Sequence, residues 1–162
     1  MAMGTVLVIE NDGANRENIL RILRFKNFWA MGAENGELGI EIAKKYLPDL
    51  ILCDISMPGL DGYDVLETLG RFPATQAIPV IFITAKATPT DLQYARSLGV
   101  TGYLVKPFGS GELLEAIDQC FSQQHLSQQH LSQPSDRCSL NFKPTPKAAA
   151  TDLTRGYPSH RY

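Results

Sequence analysis

The chain has 162 residues, is 44% hydrophobic and carries a net charge of −2, a size that suits one ordinary domain with residues to spare. Its longest wholly apolar runs hold four residues, far short of the roughly 20 that a bilayer-spanning helix needs, and the start lacks the basic and apolar segments of a secretory signal. Residues 122–162 hold five Lys/Arg against two acids, leaving ten bases and fifteen acids in residues 1–121. An acidic body of this kind argues against nucleic acid as a direct partner, because attraction to phosphate dominates such binding. Three scattered cysteines, Cys53, Cys120 and Cys138, suggest neither a disulfide framework nor a zinc site. The expectation is a cytoplasmic protein with reduced thiols.

Five short runs rich in β-branched or aromatic residues recur along the chain, at Thr5–Ile9, Phe28–Gly32, Leu50–Cys53, Val80–Ile83 and Thr101–Val105. The first, third and fourth are almost continuously apolar, as strands buried on both faces are. Helical patterns follow each run. Ile19, Leu20 and Leu23 share a face over roughly 14–26, and Gly39, Ile42, Ala43 and Tyr46 share one over 36–47. Val65, Leu66 and Leu69 mark a third helix, and Leu92, Ala95 and Leu98 a fourth. Leu113, Leu114, Ile117 and Phe121 mark a fifth, with Ser110 as its expected cap. A β-α unit repeated five times predicts a doubly wound α/β fold, a parallel sheet with helices on both faces and right-handed crossovers. Sites in such sheets form beyond the carboxyl ends of the strands.

After Phe121 the composition changes. The segment SQQHLSQQHLSQP repeats a unit of five residues, a period that suits neither a helix nor a strand. Residues 1–121 are expected to form the folded body and 122–162 a Ser/Gln/Pro-rich, disordered tail, whose first few residues could extend the last helix. His125 and His130, five apart, do not share a helical face and are not read as metal ligands.

The strand ends carry the polar chemistry. The first run ends in Glu10-Asn11-Asp12, the third in Asp54, the fourth in Thr84-Ala85 and the fifth in Lys106-Pro107. If they converge, one crevice holds carboxylates, a hydroxyl and an ammonium. Clustered carboxylates repel one another, and a small hard dication with oxygen ligands, Mg²⁺, relieves this. A phosphoryl group then fits between metal and lysine, with Asp54 as nucleophile, since carboxylates form aspartyl-phosphates. Taken singly, each residue is better explained as a solvated strand-end polar group; all of them in register are not. A flavodoxin-type phosphate cradle is disfavoured by the acidic turn after the first strand. The GSG at 109–111 is an incomplete dinucleotide loop and follows the last strand.

Over roughly residues 4–121 the chain resembles the receiver domain of bacterial two-component response regulators. VLVIEND is similar to that family's first strand and acidic pair, and PDLILCDISMPGLDGYDVL to its phosphoacceptor strand and following loop. IPVIFITAKA supplies a switch hydroxyl in Thr84, and GVTGYLVKPF a switch aromatic in Tyr103 and the lysine, Lys106, before Pro107. AENGELGIEIA resembles the start of the family's second helix. The resemblance implies a flavodoxin-like five-stranded sheet in order 2-1-3-4-5 with five helices, and a cis Lys106–Pro107 peptide. It implies transfer of a phosphoryl group from a sensor histidine kinase or phosphotransfer protein to Asp54. Such a protein is a phosphoacceptor that catalyses its own phosphotransfer and dephosphorylation rather than a turnover enzyme. The implied Mg²⁺ ligands are Asn11, Asp54 and the Ser56 carbonyl, with Glu10 acting through water. Lys106 would pair with a phosphoryl oxygen, while Thr84 and Tyr103 would rearrange and repack the face of the fourth helix, fifth strand and fifth helix, where downstream proteins bind. The reading is a stand-alone receiver that signals through protein contacts, without nucleic acid or membrane as partner, and with room for a homodimer. Ser56 and Lys86 flank the site and could tune water access.

Asn11 departs from the pattern, because the family usually has an aspartate there. An amide keeps an oxygen for the metal but loses a charge. A unit charge about 4 Å from a monovalent ion contributes roughly 4 kcal/mol at an effective dielectric of 20; a dication doubles this and solvent reduces it, so Mg²⁺ is expected to bind less tightly. Asp12 compensates only if the loop turns at once. The competing reading is a degenerate receiver, an unphosphorylated module for constitutive protein interaction; Asp54, Thr84 and Lys106, all intact, speak against it. Cys53 should point to the sheet face opposite Asp54, and Gly59 and Gly62 should serve the loop rather than chemistry.

Overall fold

The computed structural model describes residues 3–85 and 88–130, with side chains described as far as Gln124. Within that range lie five strands and five helices in strict alternation: β1 (Thr5–Ile9), α1 (Gly13–Phe25), β2 (Trp29–Ala33), α2 (Gly36–Tyr46), β3 (Leu50–Asp54), α3 (Gly62–Gly70), β4 (Val80–Thr84), α4 (Pro89–Ser97), β5 (Gly102–Val105) and α5 (Ser110–His130). The strands are all parallel, as the repeated β-α units predicted, and lie in the order β2-β1-β3-β4-β5 that the resemblance implied. No helix among the described residues is long and apolar enough to cross a membrane.

The alternation of side chains along each strand divides the interior in two. Val6, Val8, Leu50, Leu52, Ile81 and Ile83 face α1 and α5, packing on Ile19, Leu20, Leu23, Leu113 and Ile117. Leu7, Ile9, Ile51, Cys53, Val80 and Phe82 face α2, α3 and α4. Both layers are sealed from water, with β1, β3 and β4 almost wholly buried, and each such aliphatic side chain contributes about 1.5–3 kcal/mol. Cys53 lies in the layer opposite Asp54, as expected, and burial pushes its thiol pKa far up, so it is inert at neutral pH. Cys120 is also buried; Cys138 lies outside the described residues.

The helices agree with the periodicity except in their faces and ends. In α2 the buried residues are Gly36, Gly39, Ile40 and Ala43, while Ile42 is half-buried and Tyr46 is 55% exposed. Gly39 explains the rotation: a Cβ there would stand 2.4 Å from Ile9 Cδ1, so the glycine lets the helix press directly on β1. In α4 only Ala95 is buried, and Leu98 is exposed. For α5, Gly109 rather than Ser110 precedes the helix, and its N–H donates to the Glu112 carboxylate at 2.8 Å, half of a capping box. The helix then passes Phe121 and continues to His130, further than the five-residue repeat suggested; Gln, His, Leu and Ser all tolerate helix, and the first proline stands only at Pro134. The remainder of the expected tail, residues 131–162, lies outside the described residues, as do Lys86 and the side chains of His125 and His130.

Gly62 fixes how the β3–α3 connection meets the sheet. A Cβ at this position would lie 2.8 Å from both the Asp54 carbonyl oxygen and Ile55 Cα, backbone atoms that cannot step aside without moving β3. Gly62→Ala is therefore expected to destabilise the fold by about 1–3 kcal/mol, the usual range for overpacking, read as a lowered urea midpoint at unchanged slope.

Candidate functional site

Register brings the chemistry to one end of the sheet. Ile9 pairs with Cys53, Asp54 with Ile83, and Thr84 with Val105, so the residues that end these strands lie side by side. Parity then separates them. Glu10 continues the series Val6, Val8; Asp54 continues Leu50, Leu52; Lys106 continues Leu104. All three project on the side of α1 and α5, and they meet. Lys106 Nζ donates to Glu10 Oε2 at 2.8 Å and to Asp54 Oδ2 at 3.1 Å. Thr84 has the parity of Val80 and Phe82, is buried, and stands one residue beyond Asp54's strand partner.

The turn Glu10-Asn11-Asp12 uses each residue differently. Glu10 is fully buried; its Oε1 accepts from the Asp12 N–H at 3.0 Å, and its carbonyl accepts from Arg16 Nη1 at 2.6 Å. Asp12 begins α1 as its N-cap, Oδ1 accepting the Asn15 N–H at 2.8 Å. The loop does turn at once, but into a helix, and the Asp12 carboxylate is spent on the helix end. Asn11, between them, is exposed. Among the described residues no three acidic, histidine or cysteine side chains gather as a metal cage.

Beyond β3, Asp54 Oδ1 accepts the Ser56 N–H at 3.1 Å, so its two oxygens are divided between the loop and Lys106. Gly59, with φ +79°, supplies the left-handed turn of this loop, and Asp61 caps α3 in a reciprocal box with Asp64. Both glycines thus serve the backbone. A cavity of about 310 Å³ opens beside Lys106, between Asn15, Asn18 and Ile19 of α1 and Pro107 and Phe108. The Lys106–Pro107 peptide is cis.

Two carboxylates and one ammonium share the pocket. Burial dominates at Glu10 and raises its pKa, against the hydrogen bond from Lys106, which lowers it. At Lys106 burial alone would favour the neutral amine, but hydrogen bonds to Glu10 and Asp54 and their charges outweigh it, and its pKa is raised. The pocket therefore holds an excess of negative charge that a second cation would relieve. Its two carboxylates are hard oxygen donors of the kind that suit Mg²⁺, and exposed Asn11, next to Glu10, carries an amide oxygen of the same kind.

Tyr103 lies in the other layer, its ring edge-on to its strand partner Phe82 at 6.1 Å and its hydroxyl donating to the Asp91 carbonyl of α4 at 3.4 Å. Tyr63 of α3 packs against both Phe82, at 5.3 Å, and Tyr94 of α4, at 5.4 Å. Burial raises the pKa of both Tyr63 and Tyr103. Sequence reasoning missed Tyr63, Tyr94 and Arg16. Arg16 left a signal, since a cation in the first turns of a helix runs against the helix dipole; the two tyrosines left none.

Removing the shared cation would strand two buried carboxylates. Breaking a buried pair costs about 3–5 kcal/mol, and the Lys106 side chain is 24% exposed, so Lys106→Met is expected to lose about 3 kcal/mol in urea unfolding at neutral pH.

Comparison with known proteins agrees with this geometry. The response regulator receiver domain family matches residues 6–118. The chain is 33% identical over 116 residues to Protein PilH of Pseudomonas aeruginosa, covering 72% of this chain and 96% of that protein. It is 39% identical over 112 residues to the probable transcriptional regulator ycf29 of Porphyra purpurea, covering 69% of this chain but only 54% of that protein. The structure of the chemotaxis response regulator CheY4 of Vibrio cholerae superposes with a TM-score of 0.70 at 25% identity, over 74% of this chain and 99% of that one. The doubly wound sheet, the acidic pocket at its carboxyl end and these matches make the chain a member of the response regulator receiver domain family of two-component signalling.

Proposed function

We propose that this receiver accepts a phosphoryl group on Asp54 from the phosphohistidine of a sensor kinase or phosphotransfer protein. The observation that carries this reading is the Lys106 ammonium held at 3.1 Å from Asp54 Oδ2 while still bound to Glu10. An Asp54 oxygen attacks phosphorus, the P–N bond to the donor histidine breaks, and the imidazole nitrogen leaves with the electron pair. Positioning and charge neutralisation do most of the work in such transfers. Lys106 is already aimed at the carboxylate and pairs with an oxygen of the incoming group. Mg²⁺, when bound, neutralises charge on the transferring oxygens; Asp54, Asn11 and the Ser56 carbonyl would hold it, with Glu10 acting through water. The cavity beside Lys106 gives the donor a place to approach between α1 and Phe108. Residues 1–121 contain no histidine, which suits a donor on another molecule.

Output follows from how thinly α4 is packed. With Ala95 alone buried, the helix is held to the sheet by the Tyr63–Tyr94 contact and the Tyr103 hydrogen bond rather than by an aliphatic core. A phosphoryl group drawing the Thr84 hydroxyl toward Asp54 would free space for Tyr103 to turn inward and would shift the α4–β5–α5 face on which a downstream protein binds.

One observation favours the second reading, a module that works unphosphorylated: the neutral, exposed Asn11 and the diverted Asp12 leave the metal one charge short. Intact-mass measurement after incubation with a small acyl phosphate and Mg²⁺ separates the two. The added mass of one phosphoryl group, absent in Asp54→Asn, supports transfer; an unmodified wild type supports the alternative. Asn11→Asp is expected to tighten Mg²⁺ binding by at least tenfold, about 1.4 kcal/mol, in a metal titration of the unphosphorylated protein. An unchanged affinity would show that charge at this position does not govern the metal.

A further inference from the structure

The two borders of the sheet are not alike. β5 is a four-residue strand running straight into Lys106-Pro107, a blunted edge. β2, at the other border, pairs only with β1 and reads Trp29-Ala30-Met31-Gly32-Ala33, without a charge or a proline. Open strand edges are templates for further pairing, and proteins usually block them with lysine, proline or a bulge. β2 has no such device. Its α2-side residues are apolar and increasingly exposed, from buried Ala33 through half-buried Met31 to Trp29, 68% exposed.

Beside this edge, Leu38, Ile42 and Tyr46 of α2 complete an apolar groove of about 530 Å³ with Trp29 and Met31. Glu41 and Lys45 border it one helical turn apart. Glu-before-Lys at this spacing favours an ion pair within the helix, yet the Lys45 ammonium lies over the Tyr46 ring at 5.1 Å, and neither residue is in an ion pair among the described residues.

We propose that the β2 edge and the α2 groove form an isologous interface between two copies of this chain, with β2 pairing antiparallel to its own copy. A two-fold contact requires a surface complementary to itself, and two features here meet that requirement. A strand edge running antiparallel to its copy satisfies its own donors and acceptors. A two-fold axis normal to the sheet keeps both α2 helices on one face and runs them antiparallel, so Glu41 of each copy can meet Lys45 of the other. A foreign strand would explain the bare edge but not why both signs of charge border the groove. This interface is at the border of the sheet remote from β5, and it does not depend on phosphotransfer.

The full chain reports on the contact directly, because Trp29 is its sole tryptophan. Sedimentation from about 1 μM to about 1 mM, the window of weak association, should show the mass doubling, with tryptophan emission moving to shorter wavelength over the same range. Trp29→Lys, a charge placed on an already exposed position, should remain monomeric throughout with an unchanged circular dichroism spectrum. Lys45→Glu should weaken association by about tenfold or more, and adding Glu41→Lys should restore it. A protein monomeric at every concentration, a dimer whose tryptophan emission stays that of an exposed ring, or a dimer that survives Trp29→Lys would each overturn the proposal.

Discussion

Two buried carboxylates sit at the carboxyl end of this sheet, and one ammonium answers both. Glu10, Asp54 and Lys106 stand at the ends of three strands, the two acids 96 and 52 residues from the lysine in sequence, and come together only because β1, β3, β4 and β5 are parallel and in register. Neither acid could be buried alone, since an ionised carboxylate taken from water without a partner is among the costliest things a fold can contain. The interaction thus ties the topology to the chemistry: the pocket is acidic enough to want another cation, and the lysine that makes it foldable also faces the oxygen that would receive a phosphoryl group.

The same parity that gathers these three separates the side on which the proposed transfer would occur from the side that would relay it. Even positions of β3 and of the residues after β1 and β5 face α1 and α5, on the side of the cavity beside Lys106. Thr84, Phe82 and Tyr103 face the opposite layer, toward α4. In the proposed function, the Thr84 hydroxyl at the end of β4 would pass a change from one side to the other, toward α4, which meets the body through aromatic contacts and one long hydrogen bond. Aromatic rings meet at defined angles with gains of about 0.5–1.5 kcal/mol each beyond their burial, enough to hold a helix in one position and little enough to release it.

Much of this was legible in the sequence because the signals were local. Continuous apolar runs marked β1, β3 and β4, and the polar residues at their ends include Glu10 and Asp54, which Lys106 joins. The orientation of Cys53 followed from strand alternation, whereas the strand order and the cis Lys106–Pro107 peptide were implied by the family resemblance and not by any local signal. What failed was what depends on neighbours. The face of α2 turned because Gly39 lets Ile9 come close, which no periodicity within the helix reveals. Leu92 and Leu98 suggested a buried stripe on α4 that the sheet does not cover. Gly109 replaced Ser110 at the start of α5 because the Glu112 side chain satisfies the backbone from inside the helix. Helix α5 outran Phe121 because a five-residue repeat of helix-tolerant residues imposes no stop, whatever its period.

The corner after β1 separates foldability from electrostatics within a single dipeptide. Aspartate and asparagine cap helices about equally well, so α1 would start as readily if residues 11 and 12 exchanged places. The loop would keep its composition and the protein its net charge. Only the position of one formal charge, beside Glu10 or at the mouth of a helix, would differ. Transposition here is invisible to any measure based on content, and helix capping alone does not resist it; what it would change is the charge repulsion at the carboxyl end of the sheet, and with it the affinity for any cation bound there.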